Sequence, residues 1–348
     1  MRLGNRGDRA CRQDVPLGVV VRARSPLHAA PAPTLVFAGI VSLQLGAGLA
    51  ARMFSQTGPA GVTGLRLWWA ALIMAAFGGR AVARTLRTAV AERAWRDLAI
   101  AVAFGLVLGA MNYSIYQSFA RIPLGVAVTI EFLGPLAVAV ASSRRRLDLL
   151  WVVLAGAGVL LLTQGSLRLA SGAAGATGTA RAGPLFGLST TGTGLGFALL
   201  AATCWAAYIL LSRAIGRRFS GSSGLVIAMI VAALLVTGPA VAQAGPALTQ
   251  PGPIAEGLAV GLLSSVVPYR FELEALRRVP AGVFGIWMSL EPAVAALVGL
   301  ALLGETLLAR QWLAIVLVII ASAGAARSTA GSSQPSAELS ADVPPPAS

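Results

Sequence analysis

Lysine is absent from this sequence, histidine occurs once and cysteine twice. Each scarcity removes a class of chemistry. A Walker-type phosphate loop needs a lysine, so none can be present. A serine hydrolase needs a base beside its nucleophile, and the lone His28 lies in a polar N-terminal stretch outside every apolar run. Aspartate is missing from the interior of those runs, which excludes an intramembrane aspartyl dyad. Cys11 sits in the same polar stretch and Cys204 inside an apolar run, so neither a disulfide nor a metal site is expected. No cofactor is implied, and an intramembrane enzyme is the weakest functional reading.

Charge is scarce as well. A soluble domain carries about 25% charged residues, whereas this chain carries 11% and is 56% hydrophobic. So few charges cannot cover a water-facing surface, but a lipid-facing one does not need them. All the basic residues are arginine, and the formal net charge is +14. Alongside the abundant Ala and Gly, the missing lysine reads as the coding bias of a GC-rich genome and carries no chemistry. A basic balance can signal nucleic acid. Here the arginines lie in short gaps between apolar runs, the pattern of cytoplasmic loops beside a membrane, so no nucleic-acid partner is expected.

A spanning helix needs about 20 mostly apolar residues. Runs of that kind fall at 34–52, 60–78, 98–118, 122–142 and 147–164, then at 194–212, 223–243, 255–275, 279–302 and 310–326. The first run is long for a signal peptide and the second follows closely, so it is read as a span. The fold expected is an all-α membrane protein of ten transmembrane helices. Residues 1–33 read as a disordered Arg-rich cytoplasmic tail, or as a start placed too far upstream. Residues 34–164 form a first five-helix repeat, 165–192 a Gly/Ala-rich connector, 193–326 a second repeat, and 327–348 a disordered C-terminal tail. With the N-terminus inside, twenty arginines fall on the inner side and five on the outer. Both termini are therefore expected to be cytoplasmic.

The halves carry matching segments. Arg121-Ile-Pro-Leu-Gly-Val aligns with Arg278-Val-Pro-Ala-Gly-Val at an offset of 157 residues, and Leu133, Pro135 and Ala139 then meet Leu290, Pro292 and Ala296. Shared Ala, Leu and Val are common in any apolar helix. Matched prolines are not, because each costs a helix interior about 3 kcal/mol. These are the fourth and ninth spans, which run in opposite directions. That is an inverted-topology repeat, which places a binding site near the midplane between the halves. A duplication kept only for packing is the bland alternative. The GxxxG patterns Gly105–Gly109 and Gly257–Gly261 are out of this register and are assigned to helix packing.

An ionised group at the centre of a span costs about 2.5–3.5 kcal/mol on insertion scales, so those present need a reason. Glu131 precedes Pro135 by one turn, and Glu291 directly precedes Pro292. A proline frees a carbonyl one turn earlier for a substrate or proton. A carboxyl in low dielectric favours its neutral form. Glu131, Glu291 or both therefore bind substrate ammonium groups or carry a coupling proton, unless each makes only a structural hydrogen bond. Arg66 either snorkels to the interface or holds a carboxylate through its planar fork. In the eighth span, after the Pro268 break and Tyr269, Arg270 and Glu274 are four apart and are expected to neutralise each other. Glu272 lies on another face and is the better cavity candidate. In the third span Tyr113, Tyr116 and Gln117 share one helical face, which suits a polar cavity wall or an interfacial aromatic belt.

The fourth span, Pro123-Leu-Gly-Val-Ala-Val-Thr-Ile-Glu131-Phe-Leu-Gly-Pro135-Leu-Ala-Val-Ala, resembles the EamA-type drug/metabolite transporter superfamily. Gly61-Val-Thr-Gly-Leu-Arg66-Leu, Met111-Asn-Tyr113, Val279-Pro-Ala-Gly-Val-Phe-Gly-Ile-Trp-Met-Ser289-Leu-Glu291-Pro292-Ala and Leu303-Gly-Glu305-Thr-Leu are most similar to its threonine/homoserine exporter branch. The resemblance covers about 36–326. It implies a bacterial inner-membrane exporter of small amino acids, driven by protons, with paired halves around a central cavity. Glu131, Glu291, Glu272 and Arg66 each match a polar position of the branch, and with Tyr113, Tyr116, Gln117, Tyr269 and Ser289 they are the candidate substrate- or proton-binding residues. Pro135, Pro292 and Pro268 are the candidate helix breaks. Arg270 and Glu274 depart from the branch together. An exporter of drugs or of another metabolite is the alternative.

Overall fold

The computed structural model describes residues 30–141, 150–161, 190–219 and 223–331. Most of both tails and of the connector expected from the sequence lie outside them, but helix takes in residues 32–33 and 327–331, which were expected to belong to the tails. Among the described residues the structure is helical, with no strand. Nine helices among the described residues are long and apolar enough to cross a membrane, and a tenth apolar helix, Leu150–Leu161, is shorter. The chain is therefore a multi-pass α-helical membrane protein. Large aliphatic side chains such as Leu72, Val153 and Leu234 are more than half exposed, as lipid-facing positions require.

The first three spans are α1 (Ala32–Arg52), α2 (Phe54–Ala91) and α3 (Trp95–Phe119). The fourth is broken into α4 (Leu124–Glu131) and α5 (Leu133–Ala141), and α6 is Leu150–Leu161. The second half holds α7 (Thr190–Arg218) and α8 (Ser223–Ala244). Its third member is composite: α9 (Pro251–Gly261), a π-helical turn (Leu262–Val266) and α10 (Val267–Leu276). The ninth span is broken into α11 (Ala281–Met288) and α12 (Glu291–Leu303), and α13 (Ala309–Gly331) closes the chain. Helix α2 runs beyond the expected end of its span, because no proline follows Pro59 before Ala91. It kinks at Gly58, whose φ of 67° only glycine adopts at little cost.

The two broken spans have one cause. Pro123 and Pro280 stand at equivalent N-caps, with φ/ψ of −54°/143° and −58°/143°. Each first half-helix is 8 residues long and ends four residues before the next proline, Pro135 or Pro292. A proline cannot donate to the carbonyl four residues back, so the helix stops there in both copies.

Packing repeats with the halves exchanged. Helix α1 lies on α10 as α7 lies on α3, and α9 lies on α2 as α3 lies on α8. Helices α2 and α8 pair at the centre, and the fourth span crosses the ninth. The two GxxxG patterns occupy equivalent crossings. A Cβ on Gly105 would meet the Ala228 carbonyl at 2.7 Å, and one on Gly257 would meet the Leu65 Cβ at the same distance.

Candidate functional site

The exchanged halves leave a cavity of about 180 Å³ at their centre, lined from both. Helix α1 contributes Gln44, α2 Arg66, and α3 Asn112 and Tyr116. The fourth span contributes Glu131, α7 Trp205 and Tyr208, the eighth span Ser264, Tyr269 and Glu272, and the ninth Met288 and Glu291. At the offset of 157 residues, Glu131 corresponds to Met288 and Glu291 to Gly134. The two acids are thus one turn apart in repeat register, yet both face the same space.

Arg66 is buried at 7% exposure. Its Nε donates to Ser265 Oγ (3.3 Å), one Nη to the Tyr116 hydroxyl (3.1 Å) and the other to the Ser264 carbonyl (3.1 Å). The Ser264 carbonyl is available because Pro268, four residues on, has no N–H to give it. The π turn over the same residues loosens the backbone ladder, and Ser42 Oγ of α1 donates to the Leu263 carbonyl at 2.8 Å. Arg66 also lies over the Tyr116 ring, 5.4 Å from its centroid. Every one of these partners is neutral. Among the described residues no carboxylate lies within ion-pair distance of Arg66, and one N–H on each terminal nitrogen has no protein partner.

Three carboxyls face the same cavity. Glu291 is 5% exposed, and its Oε1 accepts from Gln44 Nε2 at 2.9 Å. Glu291 Oε2 and Gln44 Oε1 are buried without a hydrogen-bond partner. Glu131 and Glu272 make no side-chain hydrogen bond or ion pair among the described residues, and both lie within electrostatic reach of Glu291. Glu131 is also within reach of Arg66. A cavity bearing a cation with unused donors and several carboxyls can receive a small solute carrying both charges. Among the described residues no three His, Cys, Asp or Glu side chains gather to hold a metal.

Of the candidates from the sequence, Glu131, Glu291, Glu272, Arg66, Tyr116, Tyr269 and Pro268 line this cavity. Tyr113, Gln117, Ser289, Pro135 and Pro292 do not. The cavity face of α3 is Asn112, Ile115, Tyr116 and Phe119, rotated by one position from the strip expected. Tyr113 packs edge-on against Phe197 of α7, at 6.4 Å between centroids. Gln117 accepts from Arg121 Nη1 at 2.8 Å. Ser289 Oγ donates to the Ile286 carbonyl at 2.6 Å within its own turn. Pro135 and Pro292 shape the breaks without lining the cavity.

The Arg270–Glu274 pair does not form. Glu274 instead accepts from Arg278 Nε at 3.0 Å, and Arg277 lies 3.6 Å away. Arg270 is exposed. A glutamate is better placed N-terminal to its cation at this spacing, with the helix dipole, than C-terminal to it. Sequence reasoning passed over Gln44, Trp205 and Tyr208. Gln44 could have been found as the one amide in the first span.

Comparison with known proteins agrees with this architecture. The model of the EamA-like transporter family matches residues 192–327. The threonine/homoserine exporter RhtA of Salmonella typhimurium strain LT2 is 39% identical over 284 residues, covering 81% of this chain and 87% of that protein. RhtA of Escherichia coli strain K12 is 38% identical over 290 residues, covering 83% and 89%. One solved crystal structure superposes with a TM-score of 0.50 at 19% identity, over 88% of this chain and 98% of that one, a likeness of fold alone. Fold, cavity and relatives define a membrane transporter and not an enzyme. The chain belongs to the EamA-like transporter family of the drug/metabolite transporter superfamily, in the branch of the threonine/homoserine exporters.

Proposed function

We propose that this protein exports small amino acids of the threonine/homoserine kind across a bacterial inner membrane, in exchange for protons. The observation that carries the reading is Arg66, a buried cation with unused donors and only neutral partners, sharing a cavity with three glutamates. A planar guanidinium holds a carboxylate through two parallel bonds, and the facing carboxyls suit an ammonium. The names of the relatives, exporters of threonine and homoserine, support the same cargo. The uneven arginine distribution supports cytoplasmic termini. The equivalent proline breaks support a division into repeats at 34–164 and 193–326.

Export of drugs is the second reading within the superfamily. Drug-sized pockets begin at about 300 Å³, above the 180 Å³ found here, which favours the smaller cargo. Purified protein in liposomes loaded with L-threonine, L-homoserine or tetraphenylphosphonium separates the two. Efflux of the amino acids alone is expected, and efflux of the phosphonium alone would move the protein to the second reading.

A further inference from the structure

The hydrogen bonding of the Gln44–Glu291 pair is incomplete in a particular way. Gln44 is 2% exposed and Glu291 5%. One bond joins them, from Gln44 Nε2 to Glu291 Oε1. The two atoms left over, Gln44 Oε1 and Glu291 Oε2, are both acceptors and both buried without a donor. A buried polar atom without a partner costs about 1–3 kcal/mol, and here two such atoms belong to side chains already in contact. Reversing the amide does not relieve this, because it would set two oxygens face to face. While Glu291 is ionised, neither leftover oxygen carries a hydrogen to give the other.

We propose that Gln44 and Glu291 form the proton-holding pair of the transport cycle. A proton on Glu291 Oε2 donates to Gln44 Oε1 and, with the bond already present, closes a two-bond acid–amide ring. One proton then satisfies both orphaned atoms. It enters from water through the cavity and returns to water when it leaves. Its departure exposes the same two oxygens, and the N–H groups of a primary ammonium can occupy them in its place. Proton and cargo amine therefore alternate at one site. Gln44 acts here as a positioning residue, by fixing which carboxylate oxygen stays free. This rests on the reading of the cavity as a proton-coupled amino-acid site, and it assigns the coupling to one of the three glutamates.

The surroundings bear on the titration. Glu291 shares its cavity with Glu131 of α4, Tyr269 and Glu272 of α10, Arg66 of α2, Tyr116 of α3 and Tyr208 of α7. Glu131 and Glu272 have no amide partner among the described residues, so the acid–amide ring is particular to Glu291.

Infrared difference spectroscopy on the full-length protein in lipid, recorded across pH, reads this directly. A carboxylic-acid carbonyl band that grows as pH falls is expected. It should be lost in Glu291→Gln, and it should move to higher wavenumber in Gln44→Leu, which removes the donor to the carbonyl oxygen. The exchanged variant Gln44→Glu/Glu291→Gln restores an acid–amide pair and should return the band, which guards against a variant that merely misfolds. A set of carboxylic-acid bands unchanged in Glu291→Gln, or a Glu291 band that keeps its position in Gln44→Leu, would overturn the proposal. L-threonine added at half-protonation should diminish the band. A Gln44-dependent band indifferent to L-threonine would leave the proton pair standing and overturn the amino-acid reading instead.

Discussion

Arg66 occupies a position that a neutral side chain would fill at lower cost. Its three hydrogen bonds go to two hydroxyls and a carbonyl, which hold the guanidinium in place without cancelling its charge. Lysine would keep the charge but lose the fork. Arg66→Lys is therefore expected to slow L-threonine efflux from liposomes by about 10- to 100-fold, the equivalent of a charged hydrogen bond worth about 1.5–3 kcal/mol. A rate within twofold of the parent would mean that Arg66 only packs. Glu305 tests electrostatics away from the cavity, in the loop between α12 and α13. Its Oε2 accepts from the Leu124 N–H at 2.9 Å, tying that loop to the start of α4. Burial pushes its carboxyl above the ordinary range, and the Leu124 bond opposes this. An acid raised by folding contributes stability below the ordinary carboxylate range and loses it as pH rises through the folded value. Glu305→Gln keeps an acceptor for Leu124 and removes the charge. Its Tm should match the parent in acid and exceed it at about pH 8. A lower Tm at both pH values would contradict this assignment.

At the scale of elements, prolines and glycines set the architecture. Pro135 and Pro292 end α4 and α11 four residues upstream, and the sequence announced both breaks because no other residue type removes a backbone donor. Glycines then permit the crossings. A Cβ on Gly134 would collide with the Ala202 carbonyl, where α5 meets α7. Overpacking of this kind costs about 1–3 kcal/mol, so Gly134→Ala is expected to lower Tm in detergent. Gly156→Ala, with nothing within 4 Å of its added methyl, is expected to leave Tm unchanged. Equal effects would show that the α5–α7 approach is not tight. Other features were less legible. Periodicity put Tyr113, Tyr116 and Gln117 on one strip, but the rotation of α3 about its axis is set by the glycines it presses on α8, and the cavity face fell one residue aside. Gln44 and Tyr208 lie in mostly apolar runs with no charged residue beside them, and their place in the cavity wall depends on the helices that pack around them.

At the scale of the whole molecule, inverted duplication explains why charges can lie so deep. Helices α1 and α7 hold exchanged places beside α10 and α3, and the central space is walled by residues of opposite charge from separate helices. The matched prolines made the repeat readable from sequence. A central cavity holding Glu131, Glu291, Glu272 and Arg66 was expected as well, but not Gln44, Trp205 and Tyr208 in its wall, because these come together only through the packing of separate helices. The central claim is that this cavity carries a small zwitterion outward against protons. The most direct measurement is efflux from liposomes under an imposed pH gradient, comparing L-threonine with threonine amide and N-acetylthreonine, each lacking one of the two charges. L-threonine alone is expected to move uphill, and collapsing the gradient is expected to stop it. Uphill movement of either capped compound at the same rate, or transport indifferent to the gradient, would contradict it.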